Sequence, residues 1–154
     1  MKERLTREEC QAIIDGEHDW EDSYVIDKEG NRREDSPYLR TFKQANIVYW
    51  GDIYPNILKE RLTRYDEGTF CRRHRDNSWR MVKEGYQSLY VWITPLNDDY
   101  EGGCLYFDDK IVEQRVGVPI KMLRTIPHEI TEITKGTRYS LVSWTFKNIF
   151  DNSR

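Results

Sequence analysis

Long hydrophobic runs are missing from this 154-residue chain. No stretch approaches the ~18 consecutive apolar residues of a membrane-spanning helix, so no transmembrane segment and no membrane partner are expected. The opening residues, MKERLTREEC, hold no apolar core of the kind a signal peptide needs, and an intracellular, cytoplasmic protein is the expectation. Cysteine is scarce and odd in number, Cys10, Cys71 and Cys104, without a CxxC pair. No disulfide framework is suggested, and reduced thiols are the default. Neither sign of charge dominates: 24 Lys and Arg stand against 27 Asp and Glu, a net charge of −3. That balance argues against a protein built around a polyanion such as DNA. Internal repeats, low-complexity tracts and linkers rich in Pro, Gly or Ser are absent too, which leaves one domain spanning residues 1–154 as the reading.

What is present is a chain able to fold. Aromatics make up 13% of it, too many for a disordered segment despite a charged fraction of 33%. At this length folding buries roughly 70% of the unfolded surface, so a packed core needs no staple. Thr6 with Glu9 three residues on, then Cys10, Ala12, Ile13 and Ile14, reads as a capping box leading a short helix that stops near Gly16. A second short helix is expected around 54–62, and residues 27–37 read as an exposed loop or hairpin tip. From there short β-rich runs recur: 61–65, 86–96, 104–107, 111–113, 118–123, 129–134 and 138–146. Turn signals separate them, which points to an antiparallel sandwich, jelly roll or barrel. The expectation is a mainly β protein with one or two short N-terminal helices, a supporting segment over 1–60 and a β core over 61–148.

The last of these runs places Arg138, Ser140, Val142, Trp144 and Phe146 on one face. An arginine in such company is either an edge residue snorkelling to solvent or a buried guanidinium in need of an anion. Both readings stand on position alone.

Histidine occurs three times. His18 lies in a polar stretch and reads as exposed, whereas His74 opens an H-x-D triplet with Asp76, and His128 follows Pro127 at the head of a β-rich run. Two imidazoles and one carboxylate on one side of a metal form the facial triad of non-haem Fe(II) oxygenases, where the open positions serve a bidentate co-substrate and O2. An arginine ten residues after His128 suits the far carboxylate of such a co-substrate.

These residues carry a resemblance. Tyr65 to Asp76, with Gly68, Cys71 and His74 between, resembles the Y-x-x-G-x-x-Y-x-x-H-x-D segment of prolyl-4-hydroxylase-like 2-oxoglutarate/Fe(II) dioxygenases. Leu96 to Phe107 resembles that family's L-N-D-D-Y-E-G-G-E-L-x-F block, and His128 to Trp144 its H-E-V…G-x-R-Y-x-x-x-x-W ending. The resemblance implies a double-stranded β-helix, the jelly-roll core of the superfamily. It implies His74, Asp76 and His128 as iron ligands and Arg138 as partner of the 2-oxoglutarate C5 carboxylate, with Tyr65, Trp144 and Ser140 lining the co-substrate pocket. It also implies Fe(II), 2-oxoglutarate and O2, with ascorbate as reductant, and hydroxylation of an unactivated C–H bond with release of succinate and CO2. A prolyl residue of a protein or peptide is the substrate it suggests.

The match has departures. Cys71 stands where relatives have tyrosine, Cys104 where they have glutamate, and Pro95 replaces a tyrosine, with Tyr90 or Thr94 as candidate substitutes. Tyr86, Gln87 and Ser88 occupy the place of a substrate-binding arginine. Gly102 and Gly103 read as a tight strand connection. The aromatics between the ligands, such as Trp79, Tyr86, Tyr90 and Trp92, line a substrate groove or, more often for such residues, pack the core. Arg64, Arg72, Arg73, Arg75, Arg80 and Lys83 surround the motif; a solvated charge run is the first reading, an acidic peptide surface the next and a nucleic-acid surface the last. The alternatives to peptide hydroxylation are a nucleic-acid or small-molecule oxygenase and a non-catalytic jelly-roll binding domain. Segments 27–37 and 76–85 are polar enough to serve as lids.

Overall fold

A computed structural model of the chain describes residues 3–26, 29, 31–34, 42–54, 56–76 and 90–145. Helix α1 (Arg7–Asp15) starts and stops where its residues demand. The Thr6 side chain accepts from the Glu9 amide while Glu9 reaches back to the Thr6 amide, and Gly16 caps the other end. Cys10 and Ile13 form its buried face.

The remaining elements are strands. In chain order they are β1 (Glu21–Asp22), β2 (Tyr24–Ile26), β3 (Arg32–Glu34), β4 (Lys43–Asn46), β5 (Ile57–Tyr65), β6 (Cys71–His74), β7 (Tyr90–Pro95), β8 (Glu101–Gly102), β9 (Leu105–Phe107), β10 (Lys110–Val112), β11 (Ile120–Leu123), β12 (His128–Ile130), β13 (Ile133–Lys135) and β14 (Arg138–Thr145). The six-stranded sheet runs β1-β4-β5-β14-β7-β11 and the four-stranded sheet β10-β9-β12-β6. Neighbours are antiparallel, and the chain crosses repeatedly between the two sheets, from β5 to β6 to β7 and from β11 to β12 to β14, which is the double-stranded β-helix that the resemblance implied.

Two expectations are corrected. Residues 57–65 form β5 rather than part of a helix, because the nine-residue run pairs with both β4 and β14. Among the described residues, a one-turn 3-10 segment at Trp50–Asp52 is the helix found near there. Within the expected loop or hairpin tip over 27–37, Arg32–Glu34 is β3, paired with β2. The other calls on 35–37 and on a lid over 77–85 lie outside the described residues.

β14 organises the core because it is buried along almost its whole length. Val142 and Trp144 face inward with Val91, Ile93 and Ile130, between the two sheets. Leu141 faces the other way and packs with Leu62, Trp92 and Trp50 beneath α1. Trp92 is therefore core, and its indole N–H donates to Thr145 Oγ1 at 3.0 Å. Among the described residues no helix is long and apolar enough to cross a membrane.

Candidate metal centre

Each candidate ligand is delivered by a local device. In the β6–β12 ladder His74 lies opposite His128, but Cys71 lies opposite Ile130, so β6 holds one residue more than its partner over the same span. Such a bulge breaks the two-residue alternation of a strand. Cys71 and His74 are three apart and would face opposite sides of a regular strand, yet both line one cavity here. Asp76 follows just beyond β6, its backbone N–H donating to the Arg124 carbonyl at 3.0 Å. His128 opens β12 and is buried.

The imidazoles are held in one orientation. His74 Nδ1 donates to the Arg72 carbonyl at 2.7 Å, and His128 Nδ1 donates to the Ile126 carbonyl at 2.9 Å. A carbonyl only accepts, so Nδ1 carries the proton and Nε2 is turned to the site. The two Nε2 atoms lie 3.2 and 3.4 Å from the same oxygen, Asp76 Oδ1, and the ring centroids are 4.2 Å apart. Burial on its own raises the Asp76 carboxyl, but the hydrogen bonds and charges of His128 and His74 outweigh it and hold that group well below the usual carboxylate range.

One ligand atom from each residue lies within 4.8 Å of the others, a donor set that fits a divalent metal such as Fe(II) with positions left open. The Nδ1–carbonyl bonds supply the fixed ring orientation that metal-binding imidazoles require.

The triad opens into a small, partly open cavity of about 40 Å³. Arg61, Thr63 and Tyr65 of β5, Val91 and Ile93 of β7, and Ser140, Val142 and Trp144 of β14 form much of its wall. Tyr65 stacks on Phe42 with centroids 5.0 Å apart, and burial pushes its phenol well above the ordinary value. Ser140 shares a short hydroxyl–hydroxyl hydrogen bond with Thr63. Tyr65, Ser140 and Trp144 all line this cavity.

Arg138 stands directly behind this wall. It is 1% exposed, so the snorkelling reading falls. Its guanidinium carbon lies 5.1 Å from the Tyr65 ring centre, and Nη1 donates to Ser140 Oγ at 3.4 Å. Nε and Nη2 donate to one oxygen, Gln114 Oε1, at 3.0 and 2.8 Å, while Gln114 Nε2 donates to the Gly103 carbonyl at 2.9 Å. These partners are neutral, and a cation buried among neutral groups fits an anionic ligand such as the far carboxylate of 2-oxoglutarate. The glycine pair serves this packing. Gly102 and Gly103 have positive φ, and a Cβ at Gly103 would lie 3.2 Å from Arg138 Cδ and 2.6 Å from Ile133 Cδ1.

Other sequence readings are settled by orientation. Neither proposed substitute for the hydroxyl absent at Pro95 reaches the cavity: Thr94 pairs with Leu141 and Tyr90 with Thr145, both on the outward row of β14. His18 is half-buried rather than exposed, with Nε2 2.6 Å from the Ile13 carbonyl. In the basic rim, Arg64 pairs with Asp66, and Arg73 with Asp108 and Asp109, in keeping with a solvated, locally balanced charge run. Arg80, Lys83, Trp79 and Tyr86 lie outside the described residues. Arg61 and Thr63 were missed although 61–65 read as a β-rich run; strand alternation backward from Tyr65 would have found them. Gln114 had no signal, since only the fold brings it to Arg138.

No protein-family model matches the chain. A PKHD-type hydroxylase of Paracoccus denitrificans (strain Pd 1222) is 29% identical over 126 residues, covering 75% of this chain and 55% of that protein. The chain spans about half the length of the curated relatives it matches. Among solved structures, a viral collagen prolyl hydroxylase from Paramecium bursaria Chlorella virus-1, in complex with 2-oxoglutarate, superposes with a TM-score of 0.60 at 15% identity, covering 91% of this chain and 90% of that one. A prolyl hydroxylase from Trichoplax adhaerens, in complex with a hypoxia-inducible-factor peptide fragment, gives 0.55 at 18% identity, covering 80% and 70%. The chain is similar in sequence to the PKHD-type hydroxylases and in its double-stranded β-helix to solved prolyl hydroxylase structures.

Proposed function

We propose that this protein is an Fe(II)- and 2-oxoglutarate-dependent dioxygenase that hydroxylates a prolyl residue of a protein or peptide. The observation that carries the reading is a metal-ready triad that lines a cavity, with a buried arginine held by neutral partners directly behind the cavity wall. The names of the relatives supply the substrate class, since the matched proteins are hydroxylases and one neighbour is a prolyl hydroxylase bound to a peptide.

When bound, the metal and 2-oxoglutarate supply the reduction of O2 coupled to oxidative decarboxylation, so that one oxygen atom enters succinate, CO2 leaves, and the other oxygen becomes the substrate hydroxyl. The chain's own residues do the rest. His74 and His128 hold the metal through Nε2 and Asp76 through a carboxylate oxygen, which spends three positions and leaves the others open. Arg138 takes the far carboxylate of the co-substrate, with Gln114 fixing its guanidinium and Ser140, Thr63 and Tyr65 offering hydroxyls along the way. Val91, Ile93, Val142 and Trp144 keep that wall apolar and limit water at the reacting centre.

The test is succinate formation by purified protein with Fe(II), 2-oxoglutarate, ascorbate and O2, with and without proline-rich peptides, and with His74→Ala as control. Succinate that depends on His74 and rises with peptide, together with a peptide mass gain of one oxygen, is the expected result. Absence of both metal and 2-oxoglutarate binding would overturn the reading in favour of a non-catalytic jelly roll.

A further inference from the structure

The turn that follows β11 brings an arginine to the metal site through its backbone. Met122 of β11 lines the cavity. Two residues on, the Arg124 carbonyl accepts from the backbone N–H of Asp76, which lines the cavity too. The next carbonyl, that of Thr125, accepts from Arg75 Nε at 3.1 Å. Arg75 and Arg124 therefore flank the ligand Asp76, one as its chain neighbour and the other across this backbone pairing.

Neither guanidinium has an acidic partner among the described residues. Arg75 is exposed, and its side-chain hydrogen bond goes to the neutral Thr125 carbonyl. Arg124 is half-buried and makes neither a hydrogen bond nor an ion pair through its side chain; its Nε is closed off from solvent without an acceptor. A shielded guanidinium N–H left without an acceptor costs stability. Stability therefore gives no reason for an arginine here, whereas an anion taken up at its terminal nitrogens does. Those nitrogens are not among the shielded atoms.

Two other arginines of the basic run differ. Arg64 is paired with Asp66, and Arg73 with Asp108 and Asp109. The charge that Arg75 and Arg124 add is local: two guanidiniums beside one metal ligand, in a chain of net charge −3. Such a pair suits one or two carboxylates of a short segment, which a planar donor fork grips well. The continuous phosphates of a nucleic acid call for a longer basic track.

Resting on the hydroxylase reading above, we propose that Arg124, assisted by Arg75, is a specificity-determining residue that binds a carboxylate of the peptide substrate, from an acidic side chain or from a chain terminus. Arg138, behind the cavity wall, serves the co-substrate, and the two arginines beside Asp76 serve the substrate.

The experiment measures binding by fluorescence anisotropy in the protein loaded with Mn(II) and 2-oxoglutarate, without turnover. The probes are three short fluorescein-labelled peptides with a single proline: one flanked by Asp with an amidated end, one flanked by Asn with an amidated end, and the Asn peptide with a free terminal carboxylate. Wild type is expected to bind a carboxylate-bearing peptide roughly tenfold more tightly than the amidated Asn peptide, the scale of one hydrogen bond to a charged group. Which of the two gains shows whether side chains or termini supply the anion. Arg124→Met should abolish the preference, Arg124→Lys and Arg75→Met should keep part of it, and Arg64→Met, which removes a paired charge, should keep it whole. Because the Arg124 Nε has no acceptor to lose, the thermal midpoint of Arg124→Met should hold or rise, and its affinity for 2-oxoglutarate should stay at the wild-type value. The preference surviving in Arg124→Met, its equal loss in Arg64→Met, or its absence from wild type that binds 2-oxoglutarate would overturn the proposal. A lowered midpoint in Arg124→Met would overturn it too, making Arg124 a structural support of Asp76. Failure of wild type to bind 2-oxoglutarate at all would instead sink the oxygenase reading on which the proposal rests.

Discussion

Gln114 meets the buried Arg138 with a single oxygen, which accepts from both Nε and Nη2 of the guanidinium. The contact fixes the cation without neutralising it, and that difference can be tested. Gln114→Glu places a carboxylate on the same guanidinium. It should raise the Kd for 2-oxoglutarate about tenfold or more, while the thermal midpoint of the unliganded protein holds or rises. Tryptophan-fluorescence titration and calorimetry read the two quantities. An unchanged Kd would mean that the cavity does not use Arg138 as its anion site.

His74→Ala removes a half-buried ring that contributes little to the inter-sheet core. The variant should keep its β circular dichroism and lose its metal. For wild type, Mn(II) at about one hundred times its Kd adds ~2.7 kcal/mol of stability. That corresponds to a thermal midpoint shift of about 5–10 °C for a domain of this size, and the variant should show none.

Metal affinity should climb with pH, because the ligands bind metal only once deprotonated. Both Nδ1 atoms already carry protons committed to the Arg72 and Ile126 carbonyls. Any proton shared between Nε2 and Asp76 must therefore leave when a metal arrives, and lower pH opposes that release. Titration calorimetry in buffers of different ionisation enthalpy counts the protons. A pH-independent affinity with no release would show that the metal binds elsewhere.

Glu60 is a staple of the N-terminal segment. Its 6%-exposed carboxylate accepts the backbone N–H groups of Tyr49, Trp50 and Gly51 at 2.9, 3.1 and 2.8 Å and the Ser143 hydroxyl at 3.0 Å. Glu60→Gln turns an amide NH2 toward groups that are themselves donors. The expected cost is about 2–4 kcal/mol, read as a lower urea midpoint with an unchanged slope. A loss below about 0.5 kcal/mol would show that water replaces the carboxylate without penalty.

The strands of the core were legible where alternation and turn residues agreed, as in Arg138–Thr145 and Ile120–Leu123. They were illegible where short polar runs pair only because a neighbour is present, as in Glu21–Asp22 and Arg32–Glu34. Thr6, Glu9 and Gly16 announced α1, since capping is local chemistry. The triad was visible as a spacing, yet the bulge that turns Cys71 and His74 to one side was not, because it is a property of the β6–β12 pairing. Arg138 was visible as an anomaly on an apolar face, but its burial and its hold on Gln114 depend on contacts distant in sequence.

β14 carries one further consequence. Its even-numbered residues from 138 to 144 face the cavity or stand just behind its wall, while Leu141, Ser143 and Thr145 fasten the sheet to the layer beneath α1 through apolar packing, Glu60 and Trp92. Selection thus acts on two traits at alternate positions of one short segment. In a saturation scan that scores cellular abundance and turnover separately, the two scores should run out of phase along this strand, with a period of two residues.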